Sequence, residues 1–195
     1  MSKADCFLDT LRSKGGYVRS DEFVNRKDYI RLLKATDDGE LIRIRQGVYA
    51  FVDALANTMI DVERLIPRGV LCLYSAFDVY NLSTFIPPAF CIAIDSKRKV
   101  RTSNYPSISL YYWKKENLDF GIEERVISGH KIFITDIERT VCDAVKYRNK
   151  IGLDICNEVI NNYISNNRFN LSRLIEYAVR LRIQRVMERY LEARL

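Results

Sequence analysis

Histidine and tryptophan occur once each in the 195 residues, as His130 and Trp113, and proline only four times. A single histidine, beside Gly129 in a turn-like stretch, leaves little for a hydrolase triad to use. The five cysteines (Cys6, Cys72, Cys91, Cys142 and Cys156) are odd in number, scattered, and form no C-x-x-C pair. That spacing argues against a structural zinc site and a disulfide framework, and points to reduced cysteines used as small hydrophobes. Long apolar runs are missing too. The central uncharged stretch from Val79 to Ile94 is broken by Asn81, Ser83, Thr84 and Pro87-Pro88, and is shorter than the roughly 18 to 20 residues that span a bilayer. Asp5 and Asp9 interrupt the N-terminal apolar stretch, against a signal peptide. The expectation is a cytoplasmic protein with no membrane partner. No Walker loop, dinucleotide fingerprint or G-x-S-x-G is present. Acids such as Asp95, Asp136, Glu138 and Asp143 do not assemble a metal-nuclease pattern. The residues therefore point to no catalytic site, no metal, no cofactor and no enzyme.

What the chain does have is apolar material, at 48%, and a net charge of +6. The first excludes a disordered or low-complexity chain. The second is weak evidence for a partner until it is resolved along the sequence. Residues 1–53 carry ten basic and nine acidic side chains, so their sum is nearly neutral. Their layout is polarised. Ala4, Phe7, Leu8 and Leu11 follow a helical stripe closed by Gly15-Gly16. Ser20 starts a short second helix burying Phe23 and Val24, with Asp21 and Glu22 in its first turn. Asn25 caps a third, roughly 26–35, with Asp28 in a variant capping box. In that helix Ile30 and Leu33, helped by Tyr29, form the expected inward stripe, and Arg26, Lys27, Arg31 and Lys34 point outward. Residues 41–51 read as a hairpin: Ile42 and Ile44 alternate with Arg43 and Arg45, Gln46-Gly47 turns, and 48–51 return.

Helix, short helix, basic helix and an arginine-tipped ribbon are the order of a winged helix-turn-helix. In that arrangement the third helix enters the major groove, where arginine can grip guanine O6 and N7, and the wing neutralises phosphate. The DNA-contacting set is then Arg26, Lys27, Arg31, Lys34, Arg43, Arg45 and Gln46. The domain division is 1–54 for this reader and 55–195 for the remainder.

The remainder reads as α+β: a small mixed or antiparallel sheet with helices segregated toward the C-terminus. A short amphipathic helix is expected before Pro67, and a buried helix over 70–82. Strands are expected at 89–95 (both faces apolar), 107–113 (Ile108, Leu110 and Tyr112 on one face), 123–128 and 131–135. Thr135 and Glu138 form a T-x-x-E capping box for a helix burying Ile137, Val141, Ala144 and Val145. Further helices follow around Val159, after the Asn170 cap, and around Met187. A second basic cluster, Lys97, Arg98, Lys99, Arg101, Lys114 and Lys115, is interleaved with Tyr105, Tyr111, Tyr112 and Trp113. Mixing of that kind suits nucleic acid or an acidic surface, or is simply a solvated loop beside a core strand.

The run GELIRIRQGVYAF, the helix at VLCLYSAFDVYNL, the capped ITDIERTVCDAV and the tail NEVINNYI…LSRLIEYAVRLRI together resemble the AbiEi family of antitoxins over nearly the whole chain. The I-T-x-x-E-R-T-x-x-D element after a hairpin is the most telling part, and it places Arg139, Thr140 and Asp143 in the motif; Thr140 and Asp143 read as helix anchors. The resemblance implies the antitoxin half of a bacterial type IV toxin–antitoxin, or abortive infection, system. Its winged helix would bind inverted repeats in the promoter and autorepress the operon. Its C-terminal domain would counteract a nucleotidyltransferase-like toxin without needing a stable complex. The alternative is a stand-alone winged-helix regulator or nucleic-acid-binding protein without antitoxin activity, using the 95–115 segment for a ligand or strand.

Overall fold

A computed structural model describes residues 17–23, 25–51, 62–100, 107–127, 129–165 and 170–194. The expected first helix, Cys6, Arg101 and Tyr105 lie outside them. The architecture is α+β, with two sheets, and the chain divides into two compact units. One comprises Met1–Gly69, Lys99–Ile108 and Arg125–Ile132; the other comprises Val70–Arg98, Ser109–Glu124 and Phe133–Leu195. Among the described residues no helix is long and apolar enough to cross a membrane.

In the first unit a strand β1 (Tyr17–Arg19) precedes a single 3-10 turn at Ser20–Glu22 and helix α1 (Arg26–Asp37). Strands β2 (Leu41–Arg45) and β3 (Val48–Phe51) follow, with a short helix α2 (Val62–Leu65) beyond. The sheet order is β1-β3-β2, all antiparallel. Strand β1 was not expected: three residues give too short a stretch for alternation to register. Its partner β3 is buried along its whole length because it is paired on both edges. The β2–β3 register runs Leu41↔Phe51, Ile42↔Ala50, Arg43↔Tyr49 and then Arg45↔Val48, a bulge at Ile44. Gly47 turns the hairpin at φ 77°, and a side chain there would meet Ser20 Oγ at 2.9 Å. The core is Val18, Leu32, Ala35, Leu41, Tyr49 and Phe51, with Phe23 packed against it.

The second unit holds most of a five-stranded sheet ordered β6-β5-β4-β8-β7: β4 (Val70–Leu71), β5 (Phe90–Asp95), β6 (Ile108–Trp113), β7 (Ile122–Ile127) and β8 (His130–Thr135). Strand β4 runs antiparallel to β5 and parallel to β8, so the sheet is mixed. The expectation of one helix over 70–82 is corrected here. Val70–Leu71 is the central strand, Leu73 turns the chain at φ 47°, and helix α3 covers only Tyr74–Val79. Apolar residues filling a two-residue central strand look the same as the start of a buried helix. On β6 the burial differs along the strand. Tyr112 is exposed while Trp113 is buried and Tyr111 packs on the core.

Helices α4 (Ile137–Lys146), α5 (Arg148–Ile151), α6 (Leu153–Ile164), α7 (Leu171–Arg180) and α8 (Gln184–Glu192) complete the unit. The α4 cap is Asp136, whose carboxylate accepts the Arg139 amide at 2.8 Å, not Thr135. Thr135 ends β8, and its hydroxyl lies 2.8 Å from that of Thr140. Glu138 is buried rather than capping; it receives the Tyr163 hydroxyl at 3.2 Å and lies 3.6 Å from the Arg173 guanidinium. Asn170 caps α7 as expected, accepting from the Arg173 amide at 3.1 Å.

Helix α4 is buried from Glu138 to Val145, and at its centre the Arg139 side chain is 0% exposed. Its Nε donates to both Asp143 oxygens (3.2 and 3.1 Å), and Nη1 donates to the Asn117 and Phe120 carbonyls (2.9 and 3.2 Å). The Trp113 and Phe120 rings lie 4.7 and 4.4 Å from the guanidinium carbon. Gly121, at φ 62°, passes so close that a Cβ there would sit 2.7 Å from Arg139 Cβ.

Burial pushes the Asp143 carboxyl up to about 6, with Arg139 pulling the other way. Between the unfolded carboxylate value near 4 and about 6 the folded chain therefore holds a proton that the unfolded chain releases. The Asp143 contribution to stability falls as pH rises through that window. The stability of the native chain relative to Asp143→Asn should accordingly fall from pH 4 to pH 6, as measured by urea unfolding. At neutral pH, Asp143→Ala strands a buried cation and should cost about 3 to 5 kcal/mol, a drop of about 10 °C in Tm by calorimetry.

Candidate nucleic-acid interface

Helix α1 begins where Asn25 accepts the Lys27 amide at 3.0 Å and ends where Gly39 takes φ 77°. Its buried positions are Leu32 and Ala35, with Asp28 and Thr36 half-buried on the same side. This corrects the expected inward stripe. Ile30 is 56% exposed, and Tyr29 and Leu33 are each 39% exposed. The Leu32, Ala35 spacing with Asp28 and Thr36 at i−4 and i+4 was available as a signal, but ranking by hydrophobicity alone favoured Ile30. Leu32 and Ala35 pack in the core instead.

Arg26, Lys27, Arg31 and Lys34 are all exposed on α1. The Arg31 Nη1 donates to Asp28 at 3.1 Å, an exposed i, i+3 pair of the kind that contributes little to stability but offsets one positive charge locally. Across the sheet, Arg43 is exposed on β2 and lies in register with Tyr49. Burial raises the Tyr49 hydroxyl above its ordinary range, neighbouring Tyr29 adds to this, and Arg43 opposes it. Tyr29, Tyr49 and Arg43 thus share one neighbourhood between helix and hairpin. Gln46 is exposed at the hairpin turn, and Arg45 closes β2, its side chain outside what is described. The Ser20 amide donates to the Gly47 carbonyl at 2.8 Å, tying the turn to the segment that leads into α1.

The second basic cluster is only partly assembled. Asp95 organises the turn after β5, accepting the Lys97 amide on its carboxylate at 2.8 Å and the Arg98 amide on its carbonyl at 2.9 Å. The Ser96 amide donates to the Trp113 carbonyl at 2.7 Å, which brings Lys97 and Arg98 beside Lys114 and Lys115. Lys97, Lys114 and Lys115 are exposed and Arg98 is half-buried; Lys99 is exposed, while Arg101 lies outside the described residues. The aromatics have other work. Trp113 Nε1 donates to the Tyr147 hydroxyl at 2.9 Å, and Tyr111 meets the Tyr147 ring edge-on at 5.8 Å. Among the described aromatics of this segment Tyr112 alone is exposed, so the cluster offers cations without a row of stacking rings.

Two of the arginines toward the C-terminus have partners within the chain. Arg194 donates to Asn161 and Asn157 and to the Tyr190 carbonyl, and Arg180 pairs with Glu176 at 2.9 Å. Among the described residues no group of three His, Cys, Asp or Glu side chains could hold a metal ion, and Cys72, Cys91, Cys142 and Cys156 are free and buried.

Removing the Asn25 cap unravels the first turn, where Arg26 and Lys27 sit. Asn25→Ala should cost about 1 kcal/mol, read as a lower urea midpoint with an unchanged slope. Compared with known proteins, the chain matches no family model and no curated protein.

Proposed function

We propose that the first unit is a winged helix that binds double-stranded DNA, with α1 as the recognition helix and the β2–β3 hairpin as the wing. The observation that carries this reading is one arrangement of charge and topology. A helix exposing Arg26, Lys27 and Lys34 packs by its opposite side in the same core as a three-stranded sheet ordered β1-β3-β2. The hairpin of that sheet carries Arg43 and Gln46 outward. A helix of 12 residues is long enough to lie in a major groove while a ribbon beside it touches the flanking backbone.

In the fuller reading the protein is the antitoxin of a type IV toxin–antitoxin system. It represses its own operon by binding promoter repeats, and its second unit counteracts a nucleotidyltransferase-like toxin. The resemblance of ITDIERTVCDAV to the AbiEi family supports this part. Arg139, Thr140 and Asp143, the motif residues, are all buried, so they support a shared fold rather than a shared chemistry.

The test of the DNA-binding reading is affinity for duplex DNA from upstream of the operon as a function of salt. The logarithm of the binding constant should fall linearly with the logarithm of salt concentration, with a slope of about −0.9 per phosphate neutralised. The double variant Arg26→Ala with Lys34→Ala should bind about 100-fold more weakly, with unchanged circular dichroism. Equal affinity in that variant would remove α1 from the interface. Co-expression with a neighbouring nucleotidyltransferase-like gene tests the antitoxin part: restored growth supports it, and continued arrest leaves a DNA-binding regulator.

A further inference from the structure

We propose that Ile30 reads the C5-methyl group of a thymine in the major groove, making it a specificity-determining residue of α1. This rests on the DNA-binding reading above. The side chain is 56% exposed on a helix whose buried positions are Leu32 and Ala35. At 100° per residue, Ile30 lies almost opposite Leu32, at the centre of the outward face. Its helical neighbours are cations: Arg26 at i−4, Lys27 at i−3 and Lys34 at i+4. A branched hydrocarbon projecting from the middle of a basic face gains nothing from water.

The floor of the major groove is otherwise a pattern of hydrogen-bond donors and acceptors, and its one apolar feature is the thymine methyl. Charge complementarity between Arg26, Lys27, Lys34 and the phosphates would bring that face into the groove, and the residue at its centre would meet the base edges. Ile30 lies about 6 Å along the helix from Arg26, within two base-pair steps of whatever Arg26 contacts. Leu33, one turn on and 39% exposed, borders the same apolar spot.

The experiment selects binding sequences from a pool of random duplexes with the native protein. Affinities are then compared between the selected duplex and versions in which each thymine in turn is replaced by deoxyuridine, which differs only by the methyl group. The native protein should lose about fourfold at one position, the share of one methyl-sized apolar contact. Ile30→Ala should bind the two forms equally and keep the native salt slope, while Ile30→Val should retain the preference. Both substitutions fall on an exposed position, and circular dichroism checks that the helix content is unchanged. A native protein indifferent to the methyl at every position, or an Ile30→Ala protein that keeps the penalty, overturns the proposal. Tight binding without any enriched sequence overturns it while leaving DNA binding intact. Failure to bind any duplex overturns both.

Discussion

The Arg139 guanidinium, held between the Trp113 and Phe120 rings and paired with Asp143 one helical turn away, constrains most of what surrounds it in the second unit. Taking both charges from water costs more than their attraction returns, as the raised Asp143 carboxyl indicates. Of the remaining donors, Nη1 reaches the backbone carbonyls of Asn117 and Phe120, while Nη2 is buried without a hydrogen-bond partner; the segment between β6 and β7 thus wraps over the helix. Gly121 follows because the chain passes too close to Arg139 for any side chain. Trp113 in turn donates to Tyr147 just beyond α4. One side chain thereby dictates a loop path, a glycine and the orientation of the only tryptophan. Such a network specifies a unique packing more than it stabilises one.

In the first unit the helix α1 buries one side in the core and leaves the other exposed. Its core is built from small or slim contributions of α1, Leu32 and Ala35, against the larger Tyr49 and Phe51 of β3. Ile30 and Leu33 are left on the exposed side of α1.

Much of this organisation was legible in the amino-acid order. The Asn25 and Asn170 caps, the Gln46-Gly47 turn, strand β5 with both faces apolar, and the helical tail follow from local chemistry, which acts over a few residues. The misreadings share a cause as well. Val70–Leu71, the three residues of β1 and the inward face of α1 are decided by partners distant in the chain. A two-residue strand between β5 and β8 has no periodicity of its own, and whether Ile30 or Leu32 is buried depends on where the sheet lies. The capping box at Thr135 failed for a related reason: Glu138 had the right spacing to reach back, but Tyr163 and Arg173 from later helices claimed its carboxylate. In the candidate site, the basic residues were visible as a set, while the exposure of Ile30 among them was not.

The hydrogen bond between the Ser20 amide and the Gly47 carbonyl joins the tip of a hairpin to the turn that precedes the basic helix. It extends the pairing of β1 with β3, which already anchors the hairpin in a three-stranded sheet. With it, the spacing between the two is set when the unit folds. The entropy of arranging them is then met in folding rather than at each encounter. If the proposed DNA-binding reading holds, such a fixed gauge would turn the protein's own rigidity into discrimination between one register along a duplex and the next.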